Sequence, residues 1–318
     1  MIELTPVFMP ASVLWIMAVA LLLALLIDAV LGEPPGWLHP VVGMGRYLSF
    51  WGGWLPAQRP ALAFIAGAGL WMIGAAVVGV LAGLAQYYLL RELPGVWSAL
   101  LLALLLKPLL AWRMLRLEVL AVEAALGESL DAGRKRLAWL VSRDVSALSE
   151  VQVRESAIES LAENLNDSVV APVFWFVLLG LPGAAVYRFA NTADAMWGYR
   201  GPWEWAGKWA ARADDVLSWL PARLTAALLA LVSASVSLRV LREQAQQTPS
   251  PNSGWPMGAM ALALDVHLCK PGVYALHAQG RSPQPADTVA AAALASKAVL
   301  VLVVAAILVM TFMAIGRT

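Results

Sequence analysis

The sequence predicts an all-α, polytopic integral membrane protein of about five or six spans, and three observations support this fold class. Hydrophobic residues make up 60% of the 318 residues and charged residues only 14%, whereas soluble domains carry about 25% charged residues. The apolar residues form long runs without the alternation of barrel strands, so helices are expected. Many of the 15 tryptophans lie near the ends of these runs, where indole rings suit the membrane interface. We therefore expect one integral membrane domain over residues 1–318.

The apolar runs follow one another along the chain with different strengths. The first is expected to be a retained span rather than a signal peptide, because it is long and no basic segment precedes it. One of the two weaker runs contains Pro182 and Gly183, so it is either a simple crossing or a re-entrant hairpin. The strong runs cover residues 13–31, 61–90, 96–115 and 290–315, and the weaker ones cover residues 169–187 and 224–240.

The polar segments between the runs indicate the orientation of the chain. The stretch after the third run is rich in Lys and Arg, so the positive-inside rule places it in the cytoplasm. It should contain amphipathic helices, one of them over residues 151–165 and beginning near Ser146 or Ser149. The acidic face of this helix, with Glu159 and Glu163, is expected to be solvated. The polar cytoplasmic loops are then residues 32–60, 113–167, 191–223 and 241–289.

Polar residues gather in four clusters that together could form a functional site. If all four lie on the cytoplasmic side, their carboxylates surround one cavity that could bind Mg²⁺, and their arginines could clamp phosphate or carboxylate. Single residues also have structural interpretations: His39 as a turn residue, Arg212 and Asp215 as a local salt bridge, and Lys107 as a snorkelling residue or the partner of an acid. The clusters cover residues 28–46, 142–172, 191–225 and 250–260.

Several function classes lack support in the sequence. A net charge of +1 and the absence of a long basic run argue against nucleic-acid binding. Cys269 is the only cysteine, which excludes an internal disulfide and a cysteine zinc cluster. No P-loop, nucleophile-elbow or dinucleotide-binding motif occurs, and His267 and His277 lack the spacing of a zinc motif.

Five motifs occur in order within these clusters: LGEPP with HPVVGMGR, AEN with a following D and AP, NTADAMWGY, ARADDVL with PARLT, and PNSGWPMGAM. In these motifs the sequence resembles the CobD/CbiB family of cobalamin biosynthesis proteins, the adenosylcobinamide-phosphate synthases. The resemblance implies a multi-span protein of the bacterial inner membrane whose active site faces the cytoplasm. It also implies a ligase that uses ATP and Mg²⁺ to join adenosylcobyric acid to (R)-1-aminopropan-2-ol or its O-phosphate.

The resemblance implies partners and residue roles as well. The expected partners are the corrinoid substrate, one of these two amines, membrane lipid, and other corrinoid-assembly enzymes in a complex. The Trp-rich loop 197–219 is expected to cover the apolar face of the corrin. The expected catalytic residues are His39, Glu163, Asn164, Asp167 and Asn191. The expected Mg²⁺ ligands are Asp194, Asp214 and Asp215. The expected substrate- and phosphate-binding residues are Glu33, Arg46, Arg143, Asp144, Tyr199, Arg212, Arg223, Asn252 and Trp255.

Two other functions stay open at the level of sequence. One is a non-catalytic membrane sensor or scaffold of the same fold, comparable to AmpE-like signalling proteins. The other is a corrinoid transporter, which Lys107 within the third run would support. At some positions this sequence differs from the family pattern. These differences leave the charged residues intact, but they are expected to change the shape of the pocket and therefore the choice of amine. They occur at Leu165, Asn166, Ser168, Ser218 and Leu262.

Overall fold

The computed structural model describes residues 10–317, which form helices joined by short connections and one small hairpin. The all-α prediction is confirmed, and the hairpin within residues 241–289 is the element that the sequence did not reveal. The helices are α1 Ala11–Leu31, α2 Pro40–Gly52, α3 Pro60–Glu92, α4 Gly95–Leu106, α5 Trp112–Glu128, α6 Leu130–Leu137, α7 Glu150–Leu165, α8 Ala171–Trp197, α9 Lys208–Leu217, α10 Trp219–Ser233, α11 Leu238–Ala245, α12 Gly254–Leu264 and α13 Pro285–Ile315. The antiparallel hairpin consists of β1 Leu268–Lys270 and β2 Tyr274–Leu276.

Five helical runs among the described residues are long and apolar enough to cross a membrane, or up to six if the consecutive helices α9 and α10 count as one broken span. This confirms a multi-pass membrane protein. The predicted run 224–240 is wrong as a single span, because α10 ends at Ser233 and Ala234 adopts a φ of 55° before α11 begins. The five runs are Ala11–Leu31, Pro60–Glu92, Gly95–Glu128, Glu150–Trp197 and Pro285–Ile315.

The fourth of these runs joins α7 to α8 through a π-helical turn, Asn166–Val170. We assign its membrane-spanning part to α8, since α7 carries too many charges for a lipid environment. Those charged residues are Glu150, Arg154, Glu155, Glu159 and Glu163. The helix α7 is therefore treated as lying outside the membrane.

The chain divides into two compact units. The first unit contains the residues up to Ala111, then Ala171–Ser218, and the residues from Val303 onward. The second contains Trp112–Val170 and Trp219–Leu302. The four polar clusters of the sequence are thus divided between the units, and the single domain over residues 1–318 stays a prediction.

In the first unit, α3 packs against α8 and α1 packs against α4. Glycine allows a close approach at Gly67, where a Cβ atom would lie 2.1 Å from the Ala206 carbonyl oxygen. The helix α8 is broken at Gly180, which has a φ of 70°, as the Pro/Gly segment of the sequence indicated. The freed backbone N–H of Leu181 donates to Oε1 of buried Gln86 at 2.7 Å, which satisfies a group that would be costly in an apolar environment.

The second unit is built around α7, which contacts α5, α6, α12 and β1. A capping box at Ser149 and Gln152 begins the helix, which decides for Ser149 between the two predicted starts, Ser146 and Ser149. The acidic face of α7 differs from the expectation: Glu163 is exposed, but Glu155 and Glu159 are buried. Their exposure is low because α5, α6, α12 and β1 pack against α7.

Candidate functional site

The second unit contains a polar pocket of about 150 Å³. The segment before α7, one face of α7 and the β1–β2 hairpin form its walls. Cationic, acidic, hydroxyl and amide groups meet there, which is the composition expected of a site for a small charged ligand. The pocket is lined by Leu140, Val141, Ser142, Arg143, Ser156, Glu159, Ser160, Glu163, Asn164, Lys270 and Tyr274.

Local sequence explains how these side chains come together. Helical spacing of three and four residues places Ser156, Glu159, Ser160 and Glu163 of α7 on one side of the helix. In the hairpin, Lys270 is paired with Tyr274 across the two strands, so both side chains point to the same face. The helix thus supplies the acids and hydroxyls, and the hairpin adds a cation and a phenol.

Glu159 is the most perturbed carboxyl of the pocket. Its side chain is only 6% exposed, and burial raises the pKa of this carboxyl to about 7 because desolvation disfavours the charged form. Arg143 Nη2 lies 3.6 Å from its Oε2 atom, and its Oε1 atom has no hydrogen-bond partner among the described residues. Burial, and then the neighbouring Glu159, raise the pKa of the Tyr274 hydroxyl. Glu159 is therefore a carboxyl that titrates near neutral pH beside a cation.

A second buried acid on α7 holds the hairpin in place. Glu155 Oε1 lies 2.7 Å from Nε2 of His267, the residue before Leu268 at the start of β1. The other ring nitrogen, Nδ1, lies 3.2 Å from the Gly280 carbonyl oxygen. A carbonyl only accepts, so Nδ1 carries a proton. Burial raises the pKa of the Glu155 carboxyl, and the contact with His267 acts in the opposite direction.

Some residues predicted from sequence lie in this pocket and others do not. Arg143, Glu163 and Asn164 line it, and the Arg143 guanidinium donates to the Ser156 hydroxyl. Asp144 is exposed instead and accepts from the Ser146 backbone N–H at 2.9 Å, which is a turn contact. Asp167 lies in the π-helical turn, where its carboxylate accepts from the Asn166 amide at 2.8 Å.

Three further predicted residues meet elsewhere in the second unit. The Arg223 guanidinium lies between two indole rings, 4.5 Å from the ring centre of Trp219 and 4.9 Å from that of Trp255. It also donates to Asn252 Oδ1 at 2.7 Å and to the Pro251 carbonyl oxygen at 3.0 Å. These contacts occupy much of the guanidinium, so the structure gives Arg223 an anchoring contact with the PNSGWP loop.

The predicted Mg²⁺ ligands all belong to the first unit. Asp194 is near the end of α8. Its Oδ1 atom lies close to Gly198, and a Cβ atom added to this glycine would be only 1.9 Å from it. Asp214 and Asp215 are adjacent and partly buried on α9. No group of three or more His, Cys, Asp or Glu side chains within residues 10–317 could hold a metal ion. Mg²⁺ that is also bound by phosphate needs only one or two protein carboxylates, and Asp194, Asp214 and Asp215 stay predicted ligands of this kind.

The remaining predicted residues are spread over the first unit. His39 occupies the N-cap position of α2 without a capping side-chain hydrogen bond, and its Nε2 lies 3.1 Å from Glu33 Oε2. Asn191 lies within α8, where its Oδ1 is 3.4 Å from an Arg188 nitrogen. The other three, Arg46, Tyr199 and Arg212, are exposed. The interpretation of Lys107 as the partner of an acid is confirmed, because its Nζ lies 2.9 Å from Glu33 and 3.3 Å from Asp28.

Comparison with known proteins decides the family. A family model described as CobD/Cbib protein matches residues 21–302. The chain belongs to the CobD/CbiB family. It is 42% identical over 263 residues to the "Probable cobalamin biosynthesis protein CobD" of Methanothermobacter thermautotrophicus, with 80% of this chain and 85% of the relative covered. It is 43% identical over 265 residues to the "Cobalamin biosynthesis protein CobD" of Chromobacterium violaceum, with 79% and 81% covered. No solved structure matches this CobD/CbiB chain.

Sequence reasoning missed several pocket residues of this CobD/CbiB protein. Glu159 was noticed as a carboxylate but interpreted as part of a solvated face, and Ser156, Ser160, Lys270 and Tyr274 were not proposed at all. The serines could have been found from their spacing with Glu159 on α7. No comparable signal exists for Lys270 and Tyr274, because only the fold of the hairpin brings them to α7.

Proposed function

We propose that the chain is an enzyme of cobalamin biosynthesis, an ATP-dependent ligase that joins the carboxylate of adenosylcobyric acid to (R)-1-aminopropan-2-ol or its O-phosphate. Family membership supports the pathway. The observation that carries the reaction type is Glu159, a buried carboxyl with a pKa of about 7 in a pocket with two cations. Perturbed carboxyls in polar clefts are candidates for acid–base catalysis.

Amide formation requires two changes that this pocket can assist. The attacking amine becomes a nucleophile only after its ammonium form loses a proton. The carboxyl carbon must carry a phosphate, taken from ATP with release of ADP, which leaves as inorganic phosphate when the C–N bond forms. Glu159 would accept the proton at its Oε1 atom, since a base that titrates near the working pH is the most effective one. Arg143 and Lys270 would stabilise negative charge that develops on a phosphate or carboxyl oxygen.

The residues fit Mg-ATP as a co-substrate rather than a resident metal centre. Mg²⁺ bound to nucleotide needs only one or two protein carboxylates, and we propose Asp194, Asp214 and Asp215 as the source of these ligands. When bound, Mg-ATP supplies the phosphoryl group that activates the carboxylate. We further propose that the site faces the cytoplasm of a bacterial inner membrane and that other corrinoid-assembly enzymes form a complex with this protein.

Product analysis by mass spectrometry tests the proposal. Purified protein in nanodiscs is incubated with adenosylcobyric acid, Mg-ATP and either amine, and the amide product is quantified. We expect product with at least one amine, and a loss of about 100-fold or more in Glu159→Gln. Glu243→Gln is the matched control, because Glu243 is an exposed acid on α11. Absence of product with both amines, while the Chromobacterium violaceum relative is active in parallel, would contradict the proposal.

A further inference from the structure

A large cavity lies within the first unit and is separate from the polar pocket described above. Its volume is about 1000 Å³, at the upper end of the range of ligand sites. Segments of α1, α2, α3, α4 and α8 form its walls, and most of the lining side chains are apolar, for example Val77, Leu81, Leu104 and Leu181. The LGEPP and HPVVGMGR motifs contribute part of the wall, with Gly32–Pro35, Leu38, Pro40, Gly43 and Met44.

Two charged residues interrupt this apolar lining. Lys107 and Glu33 both line the cavity, and their Nζ and Oε2 atoms are 2.9 Å apart. The Lys107 side chain is only 4% exposed. Glu33 Oε1 is buried and accepts no hydrogen bond from any described residue. Ionisable groups among membrane spans are costly, so they mark ligand sites more often than they serve packing.

The charge of this wall restricts the ligand. Glu33, which lines the cavity, and Asp28, which is buried and outside the lining, are two carboxylates around the single ammonium of Lys107. A phospholipid would bring an anionic phosphate close to these two carboxylates, which is unfavourable in a medium of low dielectric constant. A neutral primary amide, in contrast, can donate to the free Oε1 atom of Glu33 without adding charge.

We propose that this cavity binds the corrin ring of the substrate, with its apolar surface against α3 and α4 and a peripheral carboxamide donating to Glu33 Oε1. A corrinoid combines a large apolar ring system with a rim of neutral amides, and this chemistry matches both the lining and the wall. The inference rests on the proposed function, because the reaction identifies the corrinoid. The inference places the corrin ring in the first unit and gives the LGEPP and HPVVGMGR motifs a role in binding it.

Equilibrium binding in nanodiscs tests the assignment without ATP or amine. Adenosylcobyric acid is the probe, and its visible absorbance reports the bound fraction. In Ala82→Trp an indole fills the cavity, since Ala82 lines it, and we expect affinity to fall at least 10-fold. Val80→Trp is the matched control, because Val80 is on the same helix, 59% exposed and outside the lining. Glu33→Gln, which changes little in shape, should weaken binding about threefold to tenfold.

The outcomes separate this inference from the proposed ligase. Binding by the wild type and by Val80→Trp, with loss in Ala82→Trp, supports the cavity even if no amide is ever formed. Equal corrinoid affinities in all variants would overturn the cavity assignment. It would also be overturned if native mass spectra showed that Ala82→Trp displaces bound phospholipid while corrinoid affinity stays unchanged. Gel filtration of each variant establishes that the protein is folded before binding is measured.

Discussion

Replacing Glu159 by Gln should change stability and activity in opposite directions. In the folded protein the pKa of this carboxyl is raised from 4.5 to about 7 by burial. Between pH 4.5 and about 7 the folded state therefore binds more protons than the unfolded state, so the stability of the wild type falls as pH rises through this window. Below the window the carboxyl is neutral in both states, and above it the loss is complete and constant.

The magnitude follows from the width of the window. An interval from pH 4.5 to about 7 corresponds to about 3 kcal/mol of unfolding free energy. The glutamine of Glu159→Gln is neutral at every pH. The variant should therefore equal the wild type in unfolding free energy near pH 4 and exceed it by up to about 3 kcal/mol at pH 8. Its ligation activity should be lost. Unfolding of the protein in detergent micelles, followed by tryptophan fluorescence from pH 4 to 9, measures the difference. Glu163→Gln is the control, since Glu163 is exposed one turn along α7. A stability difference that does not vary with pH would refute the burial argument.

Two further predictions concern packing. Gly67→Ala should destabilise the first unit by about 1 to 3 kcal/mol because the new methyl group would lie 2.1 Å from the Ala206 carbonyl oxygen. Gly69→Ala is the control: no atom lies within 4 Å of the added Cβ, so this variant should be neutral or slightly stabilising. Thermal unfolding of the two variants compares them, and equal effects would contradict the close approach. Arg223→Lys should lower stability by about 1 kcal/mol, because an ammonium cannot contact both Trp219 and Trp255 and still donate to Asn252. An unchanged melting temperature would argue against this anchoring role.

Hydropathy was sufficient to predict the membrane helices because long apolar runs have few other stable arrangements in lipid. It failed between residues 224 and 240, where Ser233 and Ala234 end the helix although the average hydropathy continues. The break depends on a single residue with a φ of 55°, and alanine gives no sign of such a conformation in the sequence. Periodicity predicted α7, with a start near Ser146 or Ser149, but not its burial, because what covers a helix is decided by distant segments.

The candidate site was predictable where neighbours in sequence are neighbours in space. Arg143, Glu163 and Asn164 were proposed from sequence and line one pocket, and the tie of Arg223 to the PNSGWP loop joins two of the predicted clusters. The idea that all acids surround one cavity depends on long-range packing, which composition does not encode. The hairpin that brings Lys270 and Tyr274 to α7 is held there by the contact between Glu155 and His267. No local sequence pattern predicts such a contact.

Two acids of the second unit with low exposure, Glu123 and Glu159, differ in a way that bears on function. Glu123 receives two hydrogen bonds of 2.8 Å from Arg154 and a third from Thr288, so its charge is compensated by the fold. Glu159 has Arg143 at 3.6 Å and the charge of Lys270 in the same pocket, and folding must bury it at a cost of about 3 kcal/mol at neutral pH. A neutral residue of similar size would avoid this cost without losing a close ion pair. The pocket around Glu159 is therefore better explained by a proton-transfer role than by a contribution to stability.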